Sequence, residues 1–140
     1  MESADVKKSI PAIAYLTSVL GDPAVRHRGT IGGSIANNDP AADYPAAVMA
    51  LNATVTTNSG KHTADSFFKG LFETALSDGE LVTSVSFPKA DKAAYMKFPN
   101  PASRYAMIAP GVLQEGVPSS SAGASWKRPA RNPGHFLCCG

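Results

Sequence analysis

Apolar positions Ile10, Ile13, Leu16 and Leu20 recur at helical spacing near the start of the chain. Ser9 stands where an N-cap belongs, Pro11 falls in the first turn, where its missing N–H costs little, and Gly21 stops the run. This pattern predicts one amphipathic helix over 9–20, followed by a connection that starts at Asp22-Pro23. Residues 40–51 are alanine-rich, with Val48, Met49 and Leu51 apolar, and predict a short, largely buried helix. Asp39 is its expected cap and Pro40 its first position, while Pro45 either kinks it or delays its start. The period then changes to two. Residues 53–57 alternate and are β-branched, Asn58-Ser59-Gly60 is a turn signal, and a return strand is expected at 62–64. Asp65 is expected to cap a segment carrying Phe67, Phe68, Leu71 and Phe72. Leu81 to Phe87 is the clearest strand and Pro88 ends it. Weaker strands are expected at 93–98 and 104–108, separated by Pro99-Asn100-Pro101.

The pattern fades near Pro110. Residues 113–140 lack sustained apolar periodicity and contain four Ser, four Gly, three Pro, the single Trp and both Cys. The expectation is a poorly ordered tail over 110–140, with nothing after Ile108 that can pair with the strand before it.

Composition narrows the class. At 140 residues, 44% hydrophobic and 17% charged, the chain suits one globular domain. Its net charge of +2 is concentrated at the end, where Lys127, Arg128 and Arg131 face Glu115, and residues 1–112 balance at ten of each sign. A neutral body argues against a non-specific nucleic-acid surface, so no nucleic-acid partner is expected. No apolar run reaches ~18 residues, so no membrane span is expected. The start of the chain lacks the basic and apolar regions of a signal peptide. Cys138 and Cys139 are adjacent, which suits neither a disulfide framework nor a metal site, and a cytoplasmic setting is expected.

Candidate chemistry concentrates in residues 26–43. Gly32-Gly33 sits between Thr30 and Ser34, just after Arg26 and Arg28. Two readings stand. The glycines either form a tight turn packed on the core, or let successive N–H groups and two hydroxyls cradle a phosphate. The stretch is neither a Walker loop nor Gly-x-Gly-x-x-Gly. Arg26 and Arg28 can meet a phosphate or local carboxylates, and His27 reads as exposed. Asp43, four residues after Asp39, can accept from ribose hydroxyls, hold loop amides, or simply complement a helix dipole. Lys97 can snorkel to solvent or reach a ligand. No nucleophile–base pair and no metal-ligand spacing is visible, so catalytic residues are expected to be absent and any redox chemistry to come from a cofactor.

Taken together, Arg28-Gly29-Thr30-Ile31-Gly32-Gly33-Ser34, then Asn37, Asp39-Pro40 and Asp43, resemble the FAD-binding medium subunit of the molybdenum hydroxylases. These are the carbon monoxide dehydrogenase, xanthine dehydrogenase and aldehyde oxidase type enzymes. The downstream order also fits: Glu80-Leu81-Val82-Thr83-Ser84-Val85 to Phe87-Pro88, then Tyr95-Met96-Lys97-Phe98, then Ala102-Ser103-Arg104-Tyr105-Ala106. The resemblance runs over about 5–109. It implies an α+β fold, a small, mostly antiparallel sheet with flanking helices, forming the second subdomain of a two-subdomain FAD-binding fold over 1–109.

The resemblance implies roles as well. Thr30, Ile31, Gly32, Gly33 and Ser34 cradle the FAD diphosphate, with Asn37 beside them. Asp43 meets a cofactor hydroxyl, Val82 lies by the isoalloxazine or its linker, and Lys97 points toward the flavin. The implied partners are a molybdopterin-binding large subunit and an iron–sulfur small subunit carrying 2Fe-2S clusters. Electrons pass from those clusters to FAD and on to an external acceptor. Two departures stand out. No Ala-Gly-Gly-x-Ser loop precedes Asp5, and the text after Pro110 does not continue the family's pattern. The expectation is a truncated or frame-shifted product with half the flavin cradle and impaired FAD binding. Two rival readings are a flavin oxidase of the related two-subdomain fold and a non-functional or interaction-only fragment.

Overall fold

The computed structural model describes residues 3–89, 93–110, 113–114 and 121–122. Six helices and ten short strands are formed by the described residues. Two short helices open the chain, α1 (Ala4–Ser9) and α2 (Pro11–Ser18). The expected single helix over 9–20 is thus divided. Pro11 disfavours helical backbone at the residue before it, and Ile10 sits at φ −144°, outside the helical region. Ser9 ends α1 instead of capping α2. Pro11 does occupy the first turn of α2, as its missing N–H allows. The α2 face Ala12, Ile13 and Leu16 is buried.

A third helix, α3 (Pro23–Arg28), takes the place of the expected connection. It buries no residue, so it leaves no apolar period in the sequence. Its signals are at its ends. The Asp22 carboxylate accepts from the Ala24 amide at 2.7 Å, and Pro23 is the first helical residue. Arg26, His27 and Arg28 occupy the last turn, where positive charge complements the helix dipole. The Arg26 guanidinium also donates to the Ser18 carbonyl at 2.9 Å, linking α3 to the end of α2. A Cβ on Gly29 would lie 2.9 Å from the Val25 carbonyl oxygen, so the sharp exit from α3 requires glycine there.

Two further helices form the centre: α4 (Ile31–Asn37) and α5 (Asp43–Ala50). Helix α5 starts later than Pro40. Asp39 closes a local turn by accepting from the Ala41 amide at 2.8 Å, and Ala42 is the N-cap. Pro45 then falls in the first turn, where it breaks no intrahelical hydrogen bond. Helix α5 is buried on nearly every side. Ala47 and Ala50 face the first core, with Ile10, Ile13, Leu16, Leu51 and Tyr95. Val48 faces the second, with Ile35, Ala53, Val55 and Phe67. Its alanines allow the close approach of neighbours on both faces.

The strands pair antiparallel wherever pairing is described. The hairpin β1 (Thr54–Thr57) and β2 (Lys61–Thr63) matches the sequence expectation, and β5 (Val82–Ser86) lies on the other side of β1. Between them come α6 (Ala64–Phe67), β3 (Phe68–Gly70) and β4 (Glu73–Thr74). Thr63 is the N-cap of α6, and Asp65 lies in its first turn instead of capping it. Strand β6 (Ala93–Ala94) pairs with β9 (Leu113–Gln114). Strand β8 (Ala106–Pro110) lies between β7 (Phe98–Pro99) and β10 (Ser121–Ala122). The strand near 105–108 therefore does find a partner later in the chain, contrary to the sequence expectation. The remainder of the expected disordered tail, with Trp126, Cys138 and Cys139, lies outside the described residues.

Helix α4 ends on Asn38, which is left-handed at φ 48° and fully buried. Its side-chain amide donates to the Gly70 and Glu73 carbonyls at 2.7 and 2.9 Å, clamping the β3–β4 hairpin. The Phe72 amide donates to the Asn38 carbonyl, and Phe72 itself sits at φ 57°, an unfavourable value for a bulky residue. Its side chain is exposed, so the strain is not offset by burial. Phe72→Gly should raise stability by about 0.5–1 kcal/mol, the relief of left-handed strain exceeding the entropy of an added glycine. Urea denaturation followed by circular dichroism measures it.

Candidate functional site

Thr30 begins the site. Extended at φ −121°, it is the N-cap of α4, and its hydroxyl oxygen accepts from the Gly33 amide at 3.0 Å. The Gly32-Gly33 pair is therefore the first turn of a helix and not a left-handed loop. Neither glycine has a positive φ. The glycine advantage here is space. A Cβ on Gly32 would sit 3.5 Å from the Val82 Cβ and from the Val82 carbonyl oxygen. Leaving that atom out keeps a groove of about 250 Å3 between α4 and the start of β5. The groove is lined by Thr30, Gly32, Gly33 and Ala36 on one side and by Glu80, Leu81 and Val82 on the other.

The first amides of a helix have no intrahelical acceptor. Thr30 satisfies that of Gly33, which leaves those of Ile31 and Gly32 for an anion. The Thr30 hydroxyl, already accepting, retains its proton to donate outward. This arrangement suits phosphate oxygens.

Of the residues singled out from sequence, Thr30, Gly32, Gly33 and Val82 meet at the groove. Ile31 packs on the second core, Ser34 is half-buried one turn along α4, and Asn37 is exposed at its far end. Asp43 and Lys97 are not among the groove-lining residues. They pair with each other at 2.9 Å, with both side chains about 5% exposed. The Lys97 ammonium also donates to the Val19 carbonyl at 3.1 Å, and the Tyr95 hydroxyl donates to Asp43. Burial, followed by the hydrogen bond to Asp43, raises the Tyr95 pKa far above its ordinary value, so it remains a donor. Burial and the Asp43 charge likewise raise that of Tyr44.

Sequence reasoning missed Glu80 and Leu81 as groove residues. Leu81 is exposed and Glu80 carries no local motif; only the Glu80-Leu81-Val82 string within the resemblance marks them. The Glu80 carboxylate accepts from the Thr57 hydroxyl and from the Ser77 amide, the latter at 3.0 Å. His62 Nε2 lies 3.7 Å away, an ion pair when the imidazole is protonated. The Thr57 hydroxyl, then the Ser77 amide, hold the Glu80 pKa below its ordinary 4.5. Among the described residues no group of three His, Cys, Asp or Glu could hold a metal ion. Nor is any helix among them long and apolar enough to cross a membrane.

Comparison with known proteins identifies the family of the chain. Residues 1–90 match the FAD binding domain in molybdopterin dehydrogenase, and the chain belongs to that family. It is 43% identical over 108 residues to the glyceraldehyde dehydrogenase medium chain of Sulfolobus acidocaldarius, covering 73% of this chain and 38% of that protein. Against the carbon monoxide dehydrogenase medium chain of Hydrogenophaga pseudoflava it is 36% identical over 92 residues, covering 63% and 32%. Among solved structures, reconstituted CO dehydrogenase from Oligotropha carboxidovorans superposes with a TM-score of 0.72 at 32% identity, over 80% of this chain and 42% of that one. The chain spans less than half the length of these relatives. The expected α+β class, with antiparallel strands and flanking helices, agrees with these neighbours.

Two outcomes follow from the site's charges. Lys97→Met should destabilise the fold by about 3 kcal/mol, because it strands the buried Asp43 carboxylate; chemical denaturation measures it. Glu80 has a lowered folded-state pKa, so it adds stability that is complete above about pH 4.5 and is lost as pH falls through the folded value. Melting temperatures of Glu80→Gln between pH 3 and pH 7 should show a flatter profile than the unaltered chain, on the order of the loss of one titrating group.

Proposed function

We propose that this chain forms one face of the FAD site in the flavin subunit of a molybdenum hydroxylase. Bound there, FAD supplies the electron-transfer chemistry. The chain's own residues bind and orient it. Thr30, Ile31, Gly32 and Ser34 grip the diphosphate through the Ile31 and Gly32 amides and two hydroxyls, Gly33 lines the groove beside them, and Val82 forms the opposing apolar wall. The observation that carries this reading is the Gly32–Val82 approach: a Cβ at position 32 would already touch Val82, so a longer side chain there would occupy the groove between them. Asn37, Asp43 and Lys97 enter the reading on the resemblance. Two of the Lys97 protons are used by Asp43 and Val19, leaving a third to donate.

The partners in this reading are a molybdopterin-binding large subunit and an iron–sulfur small subunit. Electrons reach the flavin from the iron–sulfur clusters and leave to an external acceptor. The relatives named dehydrogenase medium chains support it. The chain serves as the second of two subdomains around the flavin. Its groove of about 250 Å3 is below the ~300–1,000 Å3 typical of sites that enclose a whole drug-sized ligand. Taken alone it therefore holds FAD weakly and has no turnover of its own.

Titrating the purified chain with FAD, read by flavin fluorescence anisotropy, should give weak, saturable binding. Thr30→Ala and Gly32→Val should each weaken it about tenfold, one by removing a cap and donor, the other by filling the groove against Val82. A titration without saturation, or variants that bind as well as the unaltered chain, would sink the reading.

A further inference from the structure

We infer that Glu80 is a positioning residue for the flavin groove: its carboxylate ties the β1–β2 turn to the loop before β5 and so fixes the Leu81–Val82 wall opposite Gly32. The inference rests on the reading of this groove as the FAD site.

Glu80 lines the groove, yet a carboxylate is a poor neighbour for a diphosphate. Its side chain is only 5% exposed and both its oxygens are engaged within the fold. One accepts from the Thr57 hydroxyl, the other from the Ser77 amide, while the Glu80 amide returns a bond to the Ser77 carbonyl at 3.0 Å. Thr57 in turn organises its own turn, accepting from the Ser59 and Gly60 amides at 3.2 and 3.0 Å.

This link lies where the strand ladder is weakest. The β1–β5 register shifts between Thr56 and Thr57, just where Thr57 meets Val82. Side chains replace the regular pairing there. Asn58 exchanges two bonds with Leu81: the Leu81 amide donates to the Asn58 side chain at 2.9 Å, and the Asn58 amide donates to the Leu81 carbonyl at 3.1 Å. Glu80 provides the second tie, one residue before the wall itself. Without it, Leu81 and Val82 are held at the groove by Asn58 and the irregular end of the ladder. Gly32 has no side chain to press Val82 back into place. The width of the groove is thereby set by a carboxylate that need not touch the ligand.

The test titrates the full chain and three variants with FAD, following anisotropy and the visible circular dichroism of the flavin. Glu80→Ala should weaken binding about tenfold and diminish the dichroic signal, the loss expected for a hydrogen-bonded charge. Glu80→Gln keeps an acceptor and should stay within about threefold. Ile13→Ala, in the first core, which no groove-lining residue joins, should lower the melting temperature and leave affinity unchanged. Should Glu80→Ala not fold, Thr57→Val removes the same tie and takes its place. Unaltered affinity in Glu80→Ala overturns this inference alone. Equal losses in Glu80→Ala and Ile13→Ala also overturn it, since stability would then explain both. Absence of saturable FAD binding by the unaltered chain overturns the flavin reading and this inference with it.

Discussion

The Asp43–Lys97 pair joins parts of the chain that nothing local would bring together. Asp43 begins α5, Lys97 follows β6, and the Val19 carbonyl that shares the ammonium ends α2. Desolvating two such charges is costly, and their attraction alone offsets that cost only with good geometry and further hydrogen bonds. Both conditions are met, by the Val19 carbonyl and the Tyr95 hydroxyl. The cluster therefore selects one arrangement of α2, α5 and the β6–β7 segment among many that would bury similar apolar area. Helix α5, so held, backs α4, and α4 presents the groove.

The groove itself depends on small residues meeting a backbone. Helix α4 brings Thr30, Gly32 and Gly33 to one side, and a strand that begins at Val82 supplies the other. Neither side resembles a catalytic constellation, in keeping with a domain whose family is defined by a bound flavin. What the chain offers at the groove is two orphan amides, a capping hydroxyl and an apolar wall opposite them.

Much of this was legible from the residues. The hairpin over 54–63 and the strand over 82–86 follow from alternation and turn chemistry, because each side chain's burial is decided by its neighbours on one face. Helix α3 was not legible, since it buries nothing and its only marks are Asp22-Pro23 at its start. The split between α1 and α2 was written in Pro11, whose effect falls on the preceding residue and not on its own helix. The string from Arg28 to Ser34 pointed to the segment that lines the groove, but its glycines, read as a turn or a loop, begin a helix. Helical glycines leave no periodic signal, so only the Thr30 cap distinguishes the two. The Asp43–Lys97 partnership spans more than fifty residues and has no trace in local pattern. Glu80 escaped for the same reason, as its partners Thr57 and His62 belong to another hairpin.

The alanine-rich helix at the centre has an evolutionary consequence. Ala47 and Ala50 set the distance to α2, and Val48 rests on Ile35 in the helix whose first turn lines the groove. Enlarging any of these residues displaces α4 relative to Val82 and alters the groove without changing one residue in it. Lineages that keep the groove must then compensate across the core, at Ile35 or Leu16, before drift at α5 is tolerated. The interior of this domain and its groove face therefore evolve as one unit.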